Sequence, residues 1–463
     1  MLNYFNFKQI NDETYLLTSD FGRFAFLSAE CFKTLLSDPT RLPQSEKDKL
    51  IDAGIYFETS VQAFLEKNFF SLRETKRTIL SPTGLHIFVV TNQCNLNCVY
   101  CQANDGRRLY QCMNEETADK AVDIALSSPG NEISFEFQGG EPLVNYAIIK
   151  HIILTAEEKK GDKIIHYSVV TNLTLLTDEM IDFFAVWNVH ISTSIDGDEI
   201  THNHNRPFVD GRGSFEKVYS SVTKLRSKGI SAGAIETTTR FSLRRAEQII
   251  RAYTDFGFSS IFLRPLSPLG CARLHWNEIG YTAQEFLDFY IDSLEIIFRY
   301  NQKGIRIQEN YASILLSKIL HQDPVNYMEL RSPCGASVGQ MTYYCNGDVF
   351  TCDEGRMLYE MGNDSFKVGN VFDHSYQELV HSQTTCSVCK ASITEAVPQC
   401  CNCVYQPYCG ICPAINMSLY GDLLPKEAHD YKCRINMGIM DYLFSILNKP
   451  DDERFGIITQ WRV

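Results

Sequence analysis

Three cysteines, Cys94, Cys98 and Cys101, fall within the stretch "CNLNCVYC" with the spacing C-x3-C-x2-C. A structural zinc site takes four ligands, and its cysteines usually come as two C-x2-C pairs. Three thiols on one loop fit a cubane 4Fe–4S cluster better, with three irons held by thiolates and the fourth left open. An open iron can chelate the amino and carboxylate groups of S-adenosylmethionine and hold its sulfonium for one-electron cleavage. That cleavage yields methionine and a 5′-deoxyadenosyl radical, which takes a hydrogen atom from a substrate.

A second, denser set of thiols lies near the C-terminus. Cys334, Gly347 and Cys352 read C-x12-G-x4-C, and Cys400, Cys403, Cys409 and Cys412 read C-x2-C-x5-C-x2-C ahead of an isolated Cys433. The chain has seventeen cysteines. With no export signal and with thiols in tight clusters, metal or iron–sulfur ligation is the better reading than disulfides. Zinc is the competing reading for the C-x2-C pairs. Cys31, Cys112 and Cys271 read as plain buried thiols.

These side chains need a frame. From His86 onward, β-rich runs alternate with helical patterns at intervals of about 40 residues, which is the pattern of βα units around a parallel sheet. Strands are predicted at 86–91, 133–137, 165–171, 189–195, 232–238 and 261–265, and helices near 115–128, 144–160, 177–187, 214–228, 244–257 and 282–301. Six units make an open, partial (β/α)6 TIM-like barrel, an α/β fold whose chemistry sits at the C-terminal strand ends. The Cys94 loop follows the first strand directly.

The expected domains are a small α+β unit at 1–75, a barrel at 85–310, a cysteine-rich domain at 330–440 and a tail at 441–463. Within the first, residues 10–30 predict a β-hairpin around "SDFG", and two helices follow, a β-β-α-α unit. The basic segment 72–84 reads as a linker. After residue 330 the pattern predicts short strands and little helix.

A formal charge of −13 argues against a nucleic-acid partner, which needs a basic face. No apolar run reaches the roughly 18 residues that span a bilayer, so the expectation is a cytoplasmic protein without a membrane partner.

"CNLNCVYC", with the aromatic Tyr100 before its third cysteine, resembles the signature of radical SAM enzymes, and "FQGGEPL" resembles their GGEP motif. The resemblance implies that Gly139 and Gly140 let the backbone approach the ligand and that Glu141 meets the methionine ammonium. The strand ends "VVTNLT" and "STSIDG" are similar to segments that line the ribose, which points to Asn172 and Ser194, with Thr171, Ser192 and Asp196 nearby. Arg206 matches an arginine used against the methionine carboxylate. Leu263 in "FLRPLSPLG" is expected to close the adenine side, whereas His202 and His204 read as loop histidines.

The C-terminal pattern resembles the SPASM extension of radical SAM maturases, except that "CGIC" has a gap of two where the family has three. It implies two auxiliary 4Fe–4S clusters, one on Cys334, Cys352 and Cys412, the other on Cys400, Cys403, Cys409 and Cys433. The first set lacks a fourth ligand, which Cys345, Cys386 or Cys389 could supply, or which is missing. Asp353 matches an aspartate that takes a substrate proton in sulfatase-maturing relatives.

The N-terminal unit resembles the PqqD-like element that binds leader peptides by strand addition. The stretches "LHIFVVTNQCNLNCVYCQ", "FLRPLSPLG" and "CCNCVYQPYCGICP" look most like the radical SAM maturase of the His-Xaa-Ser peptide-modification system. That implies a ribosomal precursor peptide with a leader as substrate and a flavodoxin- or ferredoxin-type reductant. A sulfatase-type maturase that oxidises Ser or Cys to formylglycine is the alternative, and a zinc scaffold without catalysis is a remote one.

Overall fold

The computed structural model describes residues 1–463 except 80, 104–109, 324, 326, 427, 428 and 463. The chain opens with an antiparallel sheet in the order β1 (Phe5–Asn11), β2 (Thr14–Ser19), β3 (Phe24–Ser28). The expected hairpin is β2–β3, and β1 is a third strand that the β-β-α-α reading lacked. Ser28 caps the helix Ala29–Ser37 by accepting the Cys31 N–H, and the helix Gln44–Asp52 follows.

The expected linker begins inside a further helix, Val61–Thr75, capped by Ser60; its Leu80 lies outside the described residues. That helix carries Val61, Leu65, Phe69 and Phe70 exposed while burying Phe64. Apolar residues on both sides blur the period that marks a half-buried helix.

Six strands then pair in parallel in chain order: β4 (Leu85–Thr91), β5 (Glu132–Gly139), β6 (Ile164–Thr171), β7 (His190–Ser194), β8 (Ala232–Thr237) and β9 (Ser260–Arg264). Helices at Glu115–Leu126, Tyr146–Lys159, Asp178–Val186, Phe215–Ser227, Ala246–Asp255 and Ala283–Gln302 return the chain between them and after β9. These are the predicted six units. A two-residue strand, β10 (Gln308–Glu309), extends the β9 edge. Phe88, Phe135 and Val169 are buried completely, as expected of strands covered on both faces.

The cysteine-rich region does not stand apart from this sheet. β11 (Gln340–Tyr343) pairs in parallel with β4, setting Gln340 opposite Leu85 and Tyr343 opposite Phe88. β12 (Asp348–Phe350) and β13 (Lys367–Asn370) continue antiparallel, giving a ten-stranded sheet. Across the seam His86 Nδ1 and Tyr343 Oη lie 2.9 Å apart.

This region is also more helical than expected, with helices Asp353–Glu360, Gln383–Ala391, Pro413–Tyr420 and Tyr431–Leu447. The expected tail holds the end of the last of these and the helix Glu453–Ile458, and it is core: Leu443, Phe444, Ile446 and Ile458 have no exposure and Trp461 is buried. Helix Tyr431–Leu447 lies on Ala283–Gln302, where Tyr442 Oη donates to Glu295 at 2.5 Å. The N-terminal sheet rests on the same region through Thr18 Oγ1, which donates to the Val404 carbonyl at 2.7 Å, and the Lys8–Asp441 ion pair at 2.6 Å. Among the described residues no helix is long and apolar enough to cross a membrane.

Candidate active site

The strand ends surround a cavity of about 360 Å³ whose walls include Cys94, Cys98 and Cys101. The end of β5 holds the cysteine loop from beneath: Gly140 N–H donates to the Thr91 carbonyl at 2.9 Å and Glu141 N–H to the Gln93 carbonyl at 2.7 Å. A Cβ at Gly139 would lie 2.0 Å from the Thr91 oxygen, and one at Gly140 2.3 Å from the Gln93 oxygen. Only glycine permits this approach, and both glycines line the cavity.

Burial pushes each of the three bare thiols up to about 12; Cys98 adds to the effect at Cys94, Cys94 adds to it at Cys101, and Arg206 opposes it at Cys98. Three cysteine sulfurs brought to one wall of one cavity are the donors that three irons of a cubane cluster take. The donor set therefore fits a cluster.

Asn172, Thr171, Ser192, Ser194 and Arg206 line the cavity. Asn172 Nδ2 also reaches Asn95 Oδ1 at 2.9 Å, tying β6 to the cysteine loop. Four expectations are corrected.

Glu141 does not face the cavity. Its carboxylate is enclosed and accepts from Thr171 Oγ1 at 2.6 Å, Asn172 N–H at 2.7 Å and Leu143 N–H at 3.0 Å, so it joins the ends of β5 and β6. Burial raises its pKa to about 7 against those donors.

Asp196 is buried behind the wall, where it accepts from Tyr100 Oη at 2.7 Å and Arg206 Nε at 3.2 Å. Arg206 lies over the Tyr100 ring at 5.1 Å, and its Nη1 reaches Cys98 Sγ at 3.8 Å. An aromatic before the third cysteine thus positions the arginine.

Leu263 is a fully buried core residue, because alternation along β9 turns its neighbour Arg264 into the cavity instead. Leu96, Val170, Ile235 and Met357 are among the apolar side chains that line it. His202 and His204 sit on a helix, Glu199–Asn205, not a loop. His202 is buried, with Nε2 3.0 Å from Ser214 Oγ, while His204 stacks on Phe241 at 3.9 Å.

Asp353 reaches the cavity from the cysteine-rich region, its Oδ1 held by Arg356, whose Nε donates at 3.1 Å. Arg264, Arg356, Glu136 and Gln138 line the same space; Gln138 and Arg264 stand inside the stretches "FQGGEPL" and "FLRPLSPLG" but carry no expected role there, and Glu136 and Arg356 lie outside the motifs. Burial raises the Glu136 pKa, with Gln138 opposing.

The auxiliary thiols gather as two sets. Cys400, Cys403, Cys409 and Cys433 line one cavity of about 80 Å³, which Cys412 also borders. Cys334, Cys352 and Cys412 line another. Cys345 lies elsewhere, its Sγ donating to the Val89 carbonyl at 3.2 Å, and neither Cys386 nor Cys389 lines the three-thiol cavity. Cys112, expected to be buried, is exposed, and Cys31 and Cys271 are half-buried.

A parallel sheet with three thiols, two glycines and short polar side chains at its strand ends defines a class, and the comparisons agree. Residues 88–243 match the model of the Radical SAM superfamily, and the chain is an enzyme with that superfamily's α/β fold. A 4Fe–4S cluster and S-adenosylmethionine are its cofactors, and the cysteine-rich C-terminal region fits auxiliary clusters.

Among particular relatives, the chain is 32% identical over 182 residues to an uncharacterized protein of Methanocaldococcus jannaschii, covering 39% of this chain and 62% of that one, less than two thirds. It is 25% identical over 324 residues to a cysteine-type anaerobic sulfatase-maturating enzyme of Clostridium perfringens, covering 68% and 84%. A solved structure of an anaerobic sulfatase maturase with bound AdoMet and a peptide matches with a TM-score of 0.66 at 20% identity, covering 79% of this chain and 98% of that one. SuiB of Streptococcus suis bound to precursor peptide SuiA matches at 0.55 with 13% identity, covering 93% and 98%. At these identities the structures show the fold.

Proposed function

We propose that the chain is a cytoplasmic peptide maturase that removes a hydrogen atom and in total two electrons from a ribosomally made precursor, forming a side-chain crosslink in a His-Xaa-Ser type peptide. The observation that carries this reading is the gathering of three thiol sets, one at the strand ends and two beyond them. A net two-electron oxidation needs an acceptor for the second electron, and the two further sets supply sites for one.

Bound at Cys94, Cys98 and Cys101, the cluster and S-adenosylmethionine supply a hydrogen-abstracting radical. Gly139 and Gly140 admit the ligand against the backbone, Asn172 and Ser194 meet its sugar, and Arg206 presents its guanidinium to the methionine carboxylate. Arg356 holds Asp353 Oδ1, which leaves Oδ2 to accept the substrate proton. The small sheet β1–β3 offers edge strands for a leader peptide. A flavodoxin- or ferredoxin-type protein is the electron donor.

A second reading, oxidation of a Ser or Cys to formylglycine, is favoured by the similarity to sulfatase-maturating enzymes. Incubation of the reconstituted enzyme with S-adenosylmethionine, a reductant and either a leader-bearing His-Xaa-Ser peptide or a sulfatase peptide separates the two. Loss of two hydrogens with a new crosslink supports maturation by crosslinking; an aldehyde that reacts with hydrazides supports the second. Bound zinc with no cleavage of S-adenosylmethionine defeats both.

A further inference from the structure

The three-thiol cavity has an unassigned corner. Its described walls carry Cys334, Cys352 and Cys412, and the remaining side chains with donor atoms are Met328, Glu329, Gln340 and Glu354. A cubane cluster has four irons, so a fourth ligand is one of these, or Cys389, which lies near enough to Cys334 for their charges to interact without lining the cavity, or none.

Three of the four are poor choices. Met328 offers a thioether and Gln340 a neutral amide, neither of which replaces a thiolate's charge. Glu329 is held by Lys432 at 2.6 Å and faces Arg264 at 3.7 Å, where an ion pair occupies its carboxylate. Glu354 is held less closely: its ion pair among the described residues is with Arg264 at 3.9 Å, and Lys432, already paired with Glu329, acts on it from further away.

Chain geometry points the same way. Cys352 is the N-cap of the helix Asp353–Glu360, its Sγ accepting the Gly355 N–H at 3.3 Å. Successive helical residues turn by about 100°, so adjacent side chains serve different faces. Asp353 goes to the strand-end cavity with Arg356, and Glu354 to the cavity of Cys352 itself. We infer that Glu354 completes the first auxiliary site, whose cluster is held by Cys334, Cys352, Cys412 and one carboxylate oxygen of Glu354. This rests on the auxiliary-cluster reading above.

The test uses the full chain carrying Cys94→Ala, Cys98→Ala and Cys101→Ala, reconstituted anaerobically so that auxiliary sites alone are loaded. That parent should hold about eight irons, four per cubane. In it, Glu354→Ala removes the anchor of one iron, so mild ferricyanide oxidation should convert one cluster to the 3Fe–4S form, read by electron paramagnetic resonance, while the parent resists. Glu354→Cys should restore both the iron count and the resistance. A Glu354→Ala variant that resists as the parent does, or a Cys389→Ala variant that shows the loss in its place, overturns the assignment. If Glu354→Ala does not fold, the Glu354→Gln variant is read the same way. A parent holding about four irons or fewer overturns the two-cluster reading itself, and the inference with it.

Discussion

At the scale of single residues, the site depends on charges held by other charges. Asp353 is placed by Arg356, and Asp353→Asn keeps its shape while losing the basic oxygen. Turnover of peptide should fall about 10²–10⁴-fold, the usual value of a general base. Cleavage of S-adenosylmethionine should continue, so 5′-deoxyadenosine would accumulate without product; both are measured by chromatography, and an equal loss of the two would place Asp353 in cofactor binding.

His202 makes a second case, because its Nδ1 accepts the Asp196 N–H at 3.4 Å and a proton there would remove the acceptor. Burial pushes its pKa down to about 4, whereas the unfolded chain's histidine titrates near about 6.5. The unfolded state therefore binds the extra proton first as pH falls. Stability is complete above about pH 6.5 and is lost toward pH 4, by at most about 1.4 kcal/mol per pH unit. Urea unfolding of the metal-free chain at pH 7 and pH 5 should show a smaller difference for His202→Gln than for the native chain. Equal differences would remove the role of His202.

At the scale of elements, strand ends decide what the cavity contains. The end of β5 supports the cysteine loop through backbone contacts, and the closeness at Gly140 leaves no room for a methyl group. Gly140→Ala should displace the loop, lowering iron in the full chain by about four while the auxiliary sites stay loaded, as read by iron and sulfide analysis. A normal iron content would show that the loop adapts.

The barrel helices were readable in advance from their amphipathic period, and the strands from short β-branched and aromatic runs that recur between them. The Cys94–Cys101 triplet and the C-terminal cysteine pairs stand out by spacing, whereas the division of the latter into two sets is what the resemblance implies. Arg264 could have been read from alternation, given that Leu263 precedes it. Arg356 and Glu354 could not, because their positions depend on how β11 to β13 dock on β4. The helices of the cysteine-rich region were missed for a related reason: several are short, and Gln383–Ala391 and Pro413–Tyr420 are polar or cysteine-bearing on the faces that sequence reading treats as core.

At the scale of the whole molecule, the last segment is structural. Leu443, Phe444, Ile446, Leu447, Ile458 and Trp461 are all buried, and large core side chains are each worth about 2–5 kcal/mol. Removing six of them costs about 12–30 kcal/mol, as much as or more than the roughly 5–15 kcal/mol that holds a domain together. A chain ending at residue 440 should be insoluble or lack a cooperative unfolding transition; a soluble product with a sharp transition would return this segment to the status of a tail. Phe444 also meets Phe24 at 5.2 Å, so the same truncation should loosen the N-terminal sheet.

The seam between β4 and β11 has a consequence for engineering. Since Cys352 follows β11 and β12 directly, the hydrogen-bond register of that seam acts as a ruler for the metal sites. A slip of two residues would translate β11 by about 7 Å. C-terminal regions exchanged between relatives will therefore transplant as working units only when the splice is made ahead of β11 and Gln340 is kept opposite Leu85.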